Sequence, residues 1–247
     1  MKLRVLRTLV AAAVLSVAGV SQAVIVDFEG DIDTTFASFA PLLGHNDEIA
    51  NKGFYIDTFS NSEKAVNGDL VGTILNGADL TAACAGLLCP SNNATTFLAS
   101  LNDGVFAVSS VDGAQFRFAG FDASFIGAEG ATLPALAGLV RLQGFRADNS
   151  FITQTFQLGG PNSNGALSFR SYSTTGAFAS TLFSVVYMFG YSCNAAGSCA
   201  APFSNNQGQF AIDNLNVTAV PEPSTWMLML GGLVAAAAVA RRAKAKK

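Results

Sequence analysis

Short segments in which apolar and polar residues alternate recur along the middle of the chain. The alternation is clear in residues 116–118, 140–143 and 152–158. A period of two residues places successive side chains on opposite faces of a strand. Turn residues separate the segments at close spacing. The pattern therefore predicts an all-β protein, either an antiparallel β-sandwich or a barrel.

Ten such segments are predicted to be strands. They are residues 24–28, 53–58, 70–75, 96–101, 105–109, 114–126, 139–147, 151–158, 182–191 and 208–218. Between two of them, the polar residues 147–150 predict a hairpin connection with Asx-turn chemistry. Short helices are predicted only within residues 31–39 and 73–88.

The apolar phase changes within the last predicted strand. By strict alternation Phe210 and Ile212 lie on one face, whereas Leu215 and Val217 lie on the other. A bulge at residues 213–214 would return all four side chains to the core, so the phase change predicts a bulge there.

The first 23 residues have the pattern of a cleavable signal peptide. A cationic segment precedes an apolar run of about 12 residues, which is shorter than the roughly 20 that a spanning helix needs. The run ends in Ser21, Gln22 and Ala23, a small-x-small cleavage site. Cleavage is predicted between Ala23 and Val24, so the export and signal-peptidase machinery are expected partners.

Residues 220–247 combine a proline motif, an apolar stretch and a cationic tail. The motif is Pro221–Glu222–Pro223, the stretch covers residues 226–240, and Arg241 and Arg242 open the tail. The stretch predicts a transmembrane helix of about 15 residues, a marginal anchor because roughly 20 are needed. Positive charge resists translocation, so the body is expected on the periplasmic side of the inner membrane.

This order of motif, apolar helix and paired arginines resembles the PEP-CTERM sorting signal of Gram-negative bacteria that make extracellular polysaccharide. The resemblance implies recognition by an exosortase, a membrane-embedded cysteine transpeptidase that cuts near the proline motif. It also implies delivery to the cell surface or the extracellular matrix. Residues 209–213 match the QFxxD pattern of one subgroup of these proteins. A tail anchor that is not processed is the alternative.

Removal of the two ends changes the charge of the remaining body. The predicted organisation is a signal peptide at 1–23, a β-sandwich domain at 24–219 and a sorting signal at 220–247, and the middle part is long enough for one substantial core. The body keeps six basic against 16 acidic residues, a net charge of −10. Such a body is not expected to bind nucleic acid, whereas it suits a divalent cation.

Four cysteines occur as two close pairs, Cys84 with Cys89 and Cys193 with Cys199. An oxidising compartment favours disulfides, and each pair brackets a loop that contains glycine. Structural disulfides with local pairing are therefore predicted, and pairing between the two loops is the alternative. With neither a CxxC spacing nor more than one histidine, the sequence does not favour a zinc site.

The two ends of the body also resemble carbohydrate-binding jelly rolls, which open with an acidic "FE" strand and close with an "IDNL"-type strand. The matching segments are residues 28–30 and 212–215. The resemblance implies that the first and last strands are neighbours and share a structural calcium ion. Its side-chain ligands would be Glu29 and Asp213, together with Asp27. The alternative is that Asp213 caps the bulge while Asp27 and Glu29 face solvent.

Motifs of known catalytic classes are missing from the sequence. There is no GxSxG, HExxH or Walker motif, and His45 is the single histidine. We therefore expect a structural or interaction protein of the cell surface that is not an enzyme. A carbohydrate-binding module acting on exopolysaccharide is the alternative, in which Tyr55, Tyr172, Tyr187 and Tyr191 would stack on the sugar rings. It is ranked second because the body has no Trp and its alternating Phe residues are more simply core. A secreted hydrolase is ranked third.

Overall fold

The described part of the chain is almost entirely β-structure in the computed structural model, which describes residues 23–80, 84, 86–200, 202–220 and 231–233. Ala23–Ala219 forms one compact unit. Residues 1–22 of the predicted signal peptide, the proline motif and the arginine pair lie outside the described residues, whereas Ala23 begins the first strand. Gly231–Leu233, within the predicted transmembrane stretch, are helical. No helix among the described residues has the length and hydropathy to cross a membrane.

Sixteen strands are described. They are β1 (Ala23–Val26), β2 (Asp33–Phe36), β3 (Leu42–Gly44), β4 (Asp47–Asn51), β5 (Phe54–Ser60), β6 (Leu70–Asn76), β7 (Leu87–Leu88), β8 (Thr96–Ser100), β9 (Gly104–Ser110), β10 (Phe116–Phe125), β11 (Gly127–Ala128), β12 (Leu136–Phe145), β13 (Phe151–Gly159), β14 (Arg170–Ser173), β15 (Val185–Ser192) and β16 (Phe210–Ala219). A one-turn helix, Gly176–Ser180, joins β14 to β15.

Two antiparallel seven-stranded sheets contain most of these strands. The first sheet has the order β14-β10-β16-β8-β6-β3, and β1 also pairs with β16. The second sheet has the order β13-β12-β15-β9-β5-β4-β2, and β7 pairs with β11 separately. The predicted antiparallel β-sandwich is therefore confirmed. The first and last strands are neighbours, since Ala23 pairs with Thr218 and Val26 with Leu215.

The core lies between the two sheets and is filled mainly by phenylalanine and β-branched side chains. The alternation predicted from the sequence places every second residue of each strand there. Phe106 of the second sheet meets Phe210 of the first edge-on, with 5.8 Å between ring centroids. Phe54 and Phe116 meet in the same way at 5.4 Å.

The predicted bulge in the last strand is present. The register between β10 and β16 shifts, so that Gly120 pairs with Asn216 but Asp122 pairs with Asp213. Asn214 has φ +51°, the left-handed conformation that Asn tolerates better than most residues. Both apolar pairs of β16, on either side of the bulge, are therefore fully buried in one core.

The outer face of the first sheet is covered by the segment that carries the first cysteine pair. Phe97 and Leu75, on adjacent strands, pack with Cys89 in a second apolar cluster on that side. Phe169 packs edge-on against Phe97, with 5.2 Å between ring centroids. Where this cluster packs, the first sheet is therefore apolar on both faces.

All ten predicted strands are present, with ends that shift by a few residues. The hairpin at 147–150 is also confirmed, because Asp148 accepts a hydrogen bond from the Ser150 amide at 3.0 Å. The helix predicted within 31–39 is wrong: Asp33–Phe36 is a strand that pairs with β4, and its two β-branched threonines favour extended backbone. Within 73–88, the first residues continue β6 and Leu80 is helical.

Truncation of one core ring tests the sandwich packing. Phe210→Ala should lower the free energy of unfolding by about 3–5 kcal/mol, because it removes a fully buried ring and leaves a cavity. Phe36→Ala, at a side chain that is 67% exposed, should change it by less than about 0.5 kcal/mol. Urea denaturation of the body measures both, and equal effects of the two substitutions would contradict the assignment of Phe210 to the core.

Candidate functional site

Asp213 is buried at the bulge of the last strand, with 1% of its surface exposed. Its Oδ2 accepts hydrogen bonds from Asn93 Nδ2 at 2.7 Å and from the Thr95 hydroxyl at 3.2 Å. Its Oδ1 accepts one from the Asn214 amide at 2.7 Å. Burial, opposed by these three donors and reinforced by the nearby Asp122 charge, raises the pKa of Asp213 to about 6.

Glu29 and Asp27 follow the first strand and make different contacts. Glu29 is exposed, and its Oε1 accepts a hydrogen bond from the Thr96 amide. Asp27 forms an ion pair with Lys52, with 2.6 Å between Oδ2 and Nζ, and accepts a hydrogen bond from the Glu29 amide at 3.1 Å. Burial is the largest single influence on the pKa of Asp27 and acts to raise it. The hydrogen bonds from Lys52 and from the Glu29 amide together outweigh burial, so the pKa of Asp27 is lowered.

Two of the three predicted calcium ligands therefore contact one short segment. Asp213 accepts a hydrogen bond from the Thr95 hydroxyl, and Glu29 accepts one from the Thr96 amide. Both carboxylates are therefore hydrogen-bonded to the start of β8. Asp27 is already paired with Lys52, and the positive charge of that lysine disfavours a cation beside it. Among the described residues, no group of three or more His, Cys, Asp or Glu side chains is arranged to hold a metal ion. The buried carboxylate of Asp213 suits a cation chemically, and the calcium site stays a prediction.

Both disulfides form within the local pairs. Cys84 and Cys89 are bridged, with 6.2 Å between their Cα atoms, and Cys193 is bridged to Cys199. The predicted disulfides with local pairing are confirmed. Each bridge closes a short loop beside the end of β10.

The outer face of the second sheet carries a group of aromatic side chains that we call the aromatic face. Antiparallel pairing places Tyr187 opposite Ala107, and Phe59 opposite Val105, on the same side of the sheet. The members of the aromatic face are Tyr55, Phe59, Phe145, Phe151, Tyr187, Phe189 and Tyr191. Their neighbours along each strand point into the core, so these side chains lie on the outer face, where Tyr191 is only 8% exposed and Phe203 packs against Phe189.

Four of these rings form a continuous row across the sheet. Phe59 and Tyr187 are 5.5 Å apart between centroids, although β9 lies between their strands. The small outward side chain of Ala107 on β9 leaves room for this contact. Tyr187 continues to Phe145 at 5.1 Å, and Phe145 to Phe151 at 5.5 Å. Phe151 is 56% exposed at the edge strand, so the row reaches solvent.

Polar side chains border the row. Gln143 and Thr153 are paired opposite each other next to Phe145 and Phe151. Arg141 donates from Nε to the Thr155 hydroxyl at 3.0 Å, and its guanidinium lies 5.0 Å from the ring centroid of Tyr191. The face therefore offers apolar rings with amide, hydroxyl and guanidinium groups beside them.

Two carboxyl groups lie at the other end of the same face. Glu48 and Asp57 are paired opposite each other on β4 and β5. Burial, then repulsion from Asp57, raises the pKa of Glu48, and burial raises the pKa of Asp57 despite its hydrogen bond to Glu48. The two groups share a proton more readily than isolated carboxyls do.

Sequence reasoning named Tyr55, Tyr187 and Tyr191 as candidates for sugar stacking, but it did not place them with the phenylalanines on one face. Tyr172, the fourth candidate, lies on β14 of the first sheet. The alternating Phe residues read equally well as core residues, and alternation alone does not tell which face of a strand is buried. Pairs such as Tyr187 with Met188 contained the only signal, because Tyr next to a fully apolar residue favours the outward position for Tyr. His45, also considered, accepts a hydrogen bond from the Ser60 amide at Nδ1 and has no catalytic partner in the described part.

Comparison with known families identifies the end of the chain. Residues 219–244 match the PEP-CTERM protein-sorting motif. The motif is associated with exosortase processing and implies an exported protein that is anchored in the membrane and then processed. The sequence matches none of the curated proteins.

Three solved structures resemble this chain with low scores. The structure of TmCBM61 in complex with β-1,4-galactotriose has a TM-score of 0.32 and 8% identity, over 68% of this chain and 90% of the other. An arabinose-bound α-L-arabinofuranosidase, MgGH51, has a TM-score of 0.40 and 10% identity, over 81% of this chain and 27% of the other. The enzymatically active domain of bacteriophage CBA120 tailspike protein 4 has a TM-score of 0.31 and 11% identity, over 68% of this chain and 20% of the other.

The buried carboxyl of Asp213 predicts a pH-dependent stability in EDTA. Its folded pKa of about 6 lies above the ordinary 3.8. The stability that it contributes is therefore complete below the unfolded pKa and is lost as the pH rises through the folded value. The two-unit difference corresponds to about 3 kcal/mol.

Asp213→Asn does not titrate and should lack this contribution. The difference in unfolding free energy between wild type and variant should therefore change between about pH 4 and pH 7, in favour of the wild type at the acidic end. Chemical denaturation in EDTA measures it. A difference that stays constant across this range would contradict the raised pKa.

Calcium is expected to raise the melting temperature of the body at neutral pH, where Asp213 is ionised, and EDTA should abolish the rise. Glu29→Gln should lose the calcium response because it removes one of the two carboxylates at β8. Asp27→Asn is the matched control and should keep it, since Lys52 already neutralises Asp27. A wild-type melting temperature that is unchanged by calcium would exclude the calcium site.

Proposed function

We propose that this protein is a non-catalytic binding protein of the cell surface, which holds a neutral extracellular polysaccharide on its aromatic face. The observation that carries the proposal is the row of four touching rings across the second sheet, which ends at the exposed Phe151. The corresponding face of the first sheet is covered by its own apolar cluster.

The chemistry of the row suits a sugar chain. The C–H groups on one face of a pyranose ring are apolar and pack on an aromatic ring, while the hydroxyl groups around the rim need hydrogen-bond partners. Gln143, Thr153 and Thr155 supply such partners beside the rings. The row crosses four strand spacings of about 4.8 Å, roughly 19 Å in all, which favours an extended chain over a single small molecule.

The charges on this side of the sheet favour a neutral polymer. Glu48 and Asp57 lie on the same face as Tyr187, and the body as a whole has a net charge of −10. An anionic polysaccharide would be repelled by both. A neutral chain meets no such cost and uses the rings together with the amide, hydroxyl and guanidinium groups beside them.

The arrangement of the carboxyl groups supports a role without catalysis. Glycosidases hold their two catalytic carboxyls about 5–10 Å apart, so that the scissile bond fits between them. The side chains of Glu48 and Asp57 are instead hydrogen-bonded to each other, from opposite positions on adjacent strands. The pair leaves no space for a glycosidic bond between the two groups.

The sorting motif supports the location in this proposal. A signal peptidase would release the body at Ala23, and an exosortase would process the chain near Pro221 to place the body at the surface or in the matrix. A polysaccharide made by the same cell would then lie within reach of the aromatic face.

Removal of two rings tests the proposal. The double variant Tyr187→Ala and Phe145→Ala should lower affinity for the producing cell's own neutral polysaccharide by at least tenfold, because each lost stacking contact contributes about 1 kcal/mol or more. Affinity electrophoresis of the body in gels that contain the polysaccharide measures the retardation. Phe39→Ala, which removes an exposed ring off the strands, is the matched control and should bind as the wild type does.

Circular dichroism and the melting temperature show whether the double variant keeps its fold. Unretarded migration of the wild type would overturn the binding proposal and leave a purely structural role. Equal retardation of wild type and the folded double variant would show that the aromatic face is not the binding surface.

A further inference from the structure

A second concave site lies at one end of the sandwich, away from the row of rings. Its volume is about 620 Å³, within the roughly 300–1,000 Å³ typical of small-molecule sites. It is formed where the end of β10, the start of β12 and the end of β15 meet the loop before β16. We call it the end cleft.

The end cleft has an apolar interior and an amide rim. Phe125, Ile126 and Leu133 are among the apolar side chains that line it. Carboxamide and hydroxyl groups surround them, contributed by Thr132, Ser192, Asn194, Ser198, Asn205, Gln207 and Gln209. A ligand in this cleft would therefore meet apolar contact on one side and hydrogen-bonding groups around its edge.

The described residues that line the end cleft are uncharged, although the body is strongly acidic. None of them is Asp, Glu, Lys, Arg or His. An ionic ligand would lose hydration there without gaining a partner of opposite charge. The lining therefore selects an uncharged ligand.

Some of the rim groups are occupied and others are free to bind. Asn205 and Ser192 bond to each other at 3.1 Å, and Asn194 Oδ1 accepts two amides of its own loop. The exposed carboxamide of Gln207 makes no hydrogen bond to the described residues. It can offer both a donor and an acceptor to a ligand hydroxyl.

The walls of the cleft are fixed before any ligand arrives. The Cys193–Cys199 disulfide belongs to the lining, and so does Leu87, which lies inside the Cys84–Cys89 loop. Asp103, itself 5% exposed, accepts hydrogen bonds from the amides of residues 206 and 208 at 2.7 and 3.0 Å. Walls that are already ordered reduce the entropy lost on binding.

We propose that the end cleft binds one uncharged sugar unit, such as the end of a polysaccharide chain, and that the two disulfide loops exist to shape it. A sugar unit combines apolar C–H faces with hydroxyl donors and acceptors and carries no charge, which matches the interior, the rim and the electrostatics of the cleft. The site is separate from the aromatic face and does not depend on it.

Saturation-transfer difference NMR on the oxidised body tests this assignment. The probes are glucose, galactose, mannose and N-acetylglucosamine, with glucuronic acid and galacturonic acid as charged counterparts and hexanol as an apolar one. At least one neutral sugar should show saturation transfer, and its charged counterpart should bind at least tenfold more weakly. Binding of hexanol alone, of the acids as well as the neutral sugars, or of none of the probes would overturn the proposal.

Variants locate the binding. Gln207→Ala should weaken binding of the neutral sugar about tenfold, whereas Gln115→Ala, outside the cleft, should not. The same probes are also measured on the folded double variant Tyr187→Ala and Phe145→Ala, in which the aromatic face no longer stacks sugars, so failure of the end cleft and failure of the polysaccharide surface are distinguishable. Loss of the neutral sugar in that double variant, or unchanged binding when Gln207→Ala is added to it, would place the sugar outside the end cleft.

The double variant Cys193→Ser and Cys199→Ser tests the role of the disulfide. It should weaken the sugar at least fivefold while the near-ultraviolet circular dichroism of the core stays native. If the double variant does not fold, reduction of the folded wild type, followed by the same NMR measurement, gives the answer. Full affinity in the folded reduced protein would remove the disulfides from the proposal.

Discussion

The last strand has to present both halves of its apolar pattern to the same core. β16 lies in the middle of the first sheet, between β10 on one side and β1 and β8 on the other, so a slip in its phase would expose large apolar side chains. The bulge at Asn214 resolves the conflict by inserting one extra residue. The bulge also buries the carboxyl group of Asp213. The donors at Asn93 and Thr95 then become necessary, and they tie the segment before β8 to the end of the body.

The two outer faces of the sandwich differ because their coverings differ. The first sheet is closed by a segment with its own disulfide and apolar cluster, so its outer side chains serve stability. On the second sheet the outward positions carry rings, amides and a carboxyl pair that remain partly exposed. A face whose rings remain partly exposed can bind something else, and the contact between Phe59 and Tyr187 shows how a small residue on β9 lets the rings assemble.

Both disulfides stabilise surface loops rather than the contact between the two sheets. Neither bridge joins the two sheets, and both close loops at one end of the molecule, beside the end cleft. The core is large enough to hold the sheets together without covalent links. Bridges in surface loops order backbone that apolar packing does not reach, and this is useful to a protein whose sorting motif sends it out of the cell.

The sequence alone determined the features that depend on local order along the chain. The strands follow from alternation, the bulge from a break in the alternation of β16, the local disulfides from loop length, and the destination from the proline motif, the apolar stretch and the arginines. It did not determine which face of each strand is outward across the sheet, since Phe145 and Phe156 read alike in one dimension. Only the tertiary structure decided that four rings from four strands touch, and that two distant cysteine loops border one cleft. It also decided that Asp27 pairs with Lys52, whereas Asp213 is hydrogen-bonded to Thr95. These are contacts between residues far apart in sequence, and they are set by strand order and register, which side-chain periodicity does not encode.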